Sequence, residues 1–123
     1  MHPAAKSVFT FGLYLVAVGL GIVIAPNAVL GPLGFPPADE AWLRVLAVVV
    51  LVLSCYYLLA ARAGLTLFFR WTVLARCAVF AAFLALALLG LAPRSIALLG
   101  AVDLVGAIWT MMALRAAAAS IDP

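Results

Sequence analysis

Residues 42–61 read WLRVLAVVVLVLSCYYLLAA, with one arginine and no acidic residue in the run. As a helix at 1.5 Å per residue it is about 30 Å long, the thickness of a bilayer's hydrocarbon core. A helix apolar on every side lies either in a large protein core or in a membrane. This chain has only 123 residues, of which 70% are apolar and 9% charged. A soluble domain carries about 25% charge. With mean hydropathy at +1.36, the solvent the sequence implies is lipid.

Three further runs of similar length lie to either side, so the sequence predicts an all-α four-helix transmembrane bundle forming one integral membrane domain over residues 1–123, with spans at about 8–25, 42–61, 71–91 and 95–114. The first span follows Lys6 and stops at Pro26. A signal peptide would look similar, but the small-residue site at Val23-Ile24-Ala25 is followed by Pro26, which blocks cleavage, so the helix is expected to remain. Pro26, Pro32, Pro36, Pro37, Gly31 and Gly34 break regular structure before the second span, where Asp39 is placed to cap the helix. Gly64 is its expected stop, followed by a link at residues 65–70, and Ala92-Pro93-Arg94-Ser95 forms a turn. The tail from Ala116 is expected to fray.

Basic residues near span ends set orientation. With the N-terminus inside, Lys6, Arg62, Arg70, Arg76 and Arg115 lie on the cytoplasmic side, against Arg44 and Arg94 outside. Both termini are therefore expected in the cytoplasm, with the chain in a cell (inner) membrane. The basic residues are scattered singly at the ends of apolar runs, a membrane topology rather than a nucleic-acid surface.

Asp103 lies about eight positions into the fourth span, or ~12 Å deep. An aspartate at mid-span costs about 2.5 to 3.5 kcal/mol, so it should face protein or water and find a partner, or be protonated. Gly100, Gly106, Ala107 and Thr110 share its face, and small residues there admit a neighbouring helix. Tyr14 and Ser54 come out at matching depth, and Arg44 is long enough to reach toward it. Asp103, Tyr14, Ser54 and Arg44 thus form a candidate ligand-binding set, with a purely structural bridge between helices as the alternative. Arg76, by its position about one and a half turns into the third span, is expected to snorkel to the inner surface and, with Arg62 and Arg70, to meet anionic lipid headgroups.

Conventional catalysis has little to work with. His2 is the only histidine, and the sequence offers no zinc or haem ligand set, no phosphate-binding glycine loop and no paired carboxylates on one helix face. No cofactor or metal is expected. Cys55 and Cys77 lie within apolar runs at similar depths, as packed thiols rather than a redox pair.

Two internal similarities suggest paired hairpins: Ala25-Pro26 with Ala92-Pro93, and residues 58–63 (LLAARA) with 111–116 (MMALRA) at the ends of the second and fourth spans. The four-span layout, with Gly12, Gly19 and Gly21 in the first helix, Arg44 opening the second, and Asp103 with Gly106 in the fourth, resembles small bacterial inner-membrane proteins of the DoxX-like kind. That resemblance implies the fold and location but no catalytic residue. Two functions follow as expectations. One is association, as a homo-oligomer or an accessory subunit of a larger membrane complex, through the small-residue faces. The other is binding or carrying a small hydrophobic ligand, a lipid or quinone-like compound, between the helices.

Overall fold

A computed structural model of the chain describes residues 1–121. Helices α1 (Pro3–Ile24), α2 (Pro26–Leu30), α3 (Glu40–Ala63), α4 (Thr66–Leu88) and α5 (Ile96–Ile121) follow one another, with a 3-10 turn at Gly31–Leu33 after α2. All but α2 are long and apolar enough to cross a bilayer. The chain is an all-α, multi-pass membrane protein.

The long helices outrun the expected spans because their polar groups are satisfied locally. α1 begins at Pro3 rather than near residue 8: Ala4 N–H donates to His2 Nδ1 (3.1 Å), and Ser7 and Thr10 turn their hydroxyls back onto the carbonyls of Ala4 and Lys6 (2.7 and 2.8 Å). Proline at the first helical position costs no hydrogen bond. Asp39 caps α3 as expected, with Oδ1 accepting from Ala41 N–H at 2.9 Å.

Gly64 ends α3 in the left-handed region at φ 67°, and its N–H and that of Leu65 close onto the carbonyls of Ala61 and Ala60. This ending reverses the chain within two residues, so the expected link at 65–70 is instead the first turn of α4. At the far end α4 stops at Leu88, short of residue 91, with Gly90 at φ 72°. The tail from Ala116 does not fray: its alanines, the best helix formers, carry α5 on to Ile121. Asp122 and Pro123 lie outside the described residues.

α3 packs along α1 and α5 along α4, and the two pairs meet chiefly through α1 and α5. α3 and α4, joined by the shortest connection between long helices, otherwise hardly touch. Glycines on α1 receive leucines from α3: a Cβ on Gly12 would lie 2.8 Å from Leu58 Cδ2, and one on Gly19 2.7 Å from Leu51 Cγ. The seven-residue spacing on both helices makes this a repeated knob-in-notch contact. The loop end is tied down where Ser95 Oγ donates to the Leu33 carbonyl and Asn27 brackets the Ala38 backbone.

The main apolar cluster gathers Ala4, Ala5, Val8 and Phe11 of α1 with Tyr57 and Ala61 of α3 and Phe69 of α4. It lies toward the end where α1 starts. Along α4 the buried residues are Phe69, Thr72 and Arg76, and beyond Arg76 the helix is half or fully exposed.

Candidate functional site

Arg76 occupies the point where the packed half of α4 gives out. Counted from Thr66 it is ten residues in, or about 15 Å along the axis. Its residual exposure is 2%. It does not snorkel to water: the side chain is buried within the bundle and reaches back only as far as Thr72, one turn nearer the start of α4. The depth estimate failed because it was counted from Trp71, five residues after the true start of the helix.

Hydroxyls from two helices, α4 and α5, hold the guanidinium. Nε donates to the Thr72 carbonyl (3.2 Å), and Nη2 donates to Thr72 Oγ1 (3.0 Å) and Thr110 Oγ1 (2.8 Å). Thr72 in turn donates to the Phe69 carbonyl (2.8 Å), and Thr110 Oγ1 lies 2.7 Å from Ser7 Oγ and 3.1 Å from the Gly106 carbonyl. The hydroxyl protons have carbonyls to go to, which leaves the oxygen lone pairs of Thr72 and Thr110 for the arginine. Rings cover the rest: Phe11 lies 4.8 Å and Tyr57 5.9 Å from the guanidinium carbon. Phe11 itself stacks obliquely on Tyr14 and Tyr57, at 5.4 and 5.5 Å between centroids. Such cation–π contacts offset part of the cost of burying the charge.

One donor is left over. Nη1 is buried with no hydrogen-bond partner. It points at Gly106, where an added Cβ would lie 3.0 Å from Nη1 and 3.1 Å from the Phe11 ring. Arginine is charged at any ordinary pH, so this is a fixed positive group with an unused N–H in a low-dielectric interior.

Asp103 lies one turn from Gly106 on α5, half-buried, and interacts electrostatically with Arg76, Tyr14 and Tyr57. Among the described residues it makes no ion pair, the one salt bridge being Arg44 with Glu40. A guanidinium, a carboxylate and two phenols therefore converge from α1, α3, α4 and α5 without bonding to one another.

Of the residues singled out in sequence, the structure brings together Asp103 and Tyr14. Ser54 is buried and turns its hydroxyl onto the Leu51 carbonyl of its own helix (2.5 Å). Arg44 turns the other way, donating to the Val23 carbonyl (3.0 Å) and Glu40 (3.3 Å). The basic partner in this region is Arg76 instead. A signal for it was present: Thr72 lies one turn before Arg76, and Gly106 and Thr110 one turn apart on α5, so small and hydroxyl residues mark both facing surfaces.

Arg62 and Arg70 are exposed near the end where α1 starts, each beside an apolar groove. Cys55 is exposed, Cys77 half-buried, and both are free thiols. Among the described residues no group of three metal-ligating side chains assembles. The small-residue faces are taken up inside the chain: Gly12 and Gly19 by α3, Gly100 by Phe80 and Phe83 of α4, Gly106 by Arg76 and Phe11.

No protein-family model, curated protein or solved structure matches this chain.

Proposed function

We propose that this membrane protein binds a small amphipathic molecule between its helices, with the molecule's polar head at Arg76 and Asp103 and its apolar body in the adjoining lipid. The single observation that supports this most is the buried Nη1 of Arg76, which lacks a partner in a medium that supplies none. A carbonyl or carboxylate oxygen would satisfy it. Tyr14, Tyr57 and Asp103 offer further polar contacts around the same point, so a head with several oxygens, as in a lipid or a quinone-like compound, suits the cluster.

The reading as an association subunit in the inner membrane is the weaker one, since the glycine faces that suggested it are consumed within the chain. The N-terminus-inside orientation and the DoxX-like kinship belong to the proposal on the basic-residue count and layout already given.

Native mass spectrometry of the detergent-purified protein tests the binding reading. A retained small molecule is expected, lost in Gly106→Ala, whose Cβ crowds Nη1, and in Asp103→Ala. A spectrum with no retained mass in the unsubstituted protein overturns it.

A further inference from the structure

A second, separate site lies near the surface. Between α4 and α5, at the end where α1 starts, an apolar groove of about 330 Å³ is lined by Val73, Leu74, Met111 and Leu114 and carries both Arg70 and Arg115. We infer that this groove holds an anionic phospholipid of the surrounding leaflet, with its phosphate between the two arginines and an acyl chain along the apolar lining.

Charge and depth argue for that occupant. Among the described residues Arg70 and Arg115 are exposed and form no ion pair, so the groove presents two fixed positive charges that no described side chain pairs with. Both sit within about two turns of a helix end, the level of the headgroups, and Trp71 beside them is exposed as interfacial tryptophans are. α4 adds to the field: its first turn has no side-chain cap and no acidic residue, so its free N–H groups leave positive potential at the same end. Guanidinium pairs recognise phosphate through bidentate hydrogen bonds. The apolar lining faces hydrocarbon in any case, so an acyl chain seats there with no polar group to displace.

The site shares no residue with the Arg76 cluster and survives if that reading fails. Its test is lipid retention in native mass spectrometry, with the purified protein titrated with phosphatidylglycerol or phosphatidylcholine of the same chains. Preferential retention of phosphatidylglycerol is expected, and in the double variant Arg70→Gln, Arg115→Gln that preference falls by about 30-fold, from two basic contacts at the membrane surface. Lys6→Gln with Arg94→Gln, which removes the same charge at exposed positions away from the groove, should leave the preference within about threefold of the original, well short of the loss expected from two lost contacts. Three results overturn the inference: no preference for the anionic lipid, an equal loss from the control pair, or displacement of the lipid by inorganic phosphate alone, which would make it a site for free phosphate.

Discussion

Arg76 is held by side chains that differ in what their loss would do. Thr110 accepts from Nη2 and also meets Ser7, so Thr110→Val keeps the shape and removes both bonds. A buried charged donor left short costs about 1–3 kcal/mol, and a loss of that size in detergent unfolding is expected. Removing the charge itself should behave differently. Buried ionic groups replaced by apolar residues of similar volume are often neutral or stabilising. Arg76→Met combined with Asp103→Asn should therefore unfold no more easily than the unsubstituted protein by the same assay, yet retain no ligand. If the double variant is both destabilised and still ligand-loaded, Arg76 serves the bundle and not a ligand.

At the scale of helices, the α1–α3 contact rests on two notches. Gly19→Ala places a methyl within 2.7 Å of Leu51, and overpacking of that kind costs about 1–3 kcal/mol. Leu51→Ala on top of it should restore part of the loss, since the two groups compete for one space, and double-mutant unfolding measures the coupling. Gly31→Ala, with nothing near its added methyl, should be close to neutral. The number and type of the long helices were legible in the sequence because four long apolar runs have one solution in lipid, whereas the short α2 fell where prolines and glycines predicted irregular chain. The caps at Asp39 and Gly64 were legible too, since each needs only its own residue type and position. The starts of α1 and α4 were not, because hydropathy counts Lys6, Ser7 and Arg70 as breaks, whereas Ser7 bonds back onto its own helix and Arg70 projects from a helix end. That error of five residues in α4 hid the site: it moved Arg76 outward on paper and made snorkelling look sufficient. Which way Arg76 and Arg44 turn depends on neighbours from other helices, and no pattern along one helix fixes that.

Across the whole molecule, four alternating spans put Arg62 and Ser95 at opposite ends of the bundle, in α3's last turn and just before α5. Every site described depends on lipid filling the distance between those ends, because only there is an unpartnered Nη1 a standing demand for a ligand. The direct measurement is labelling of single cysteines, Arg62→Cys or Ser95→Cys in a Cys55→Ser, Cys77→Ser background, with a membrane-impermeant maleimide in sealed, oriented vesicles. Each should react from one face only, and the two from opposite faces. Reaction of both from the same face would contradict the four-span arrangement.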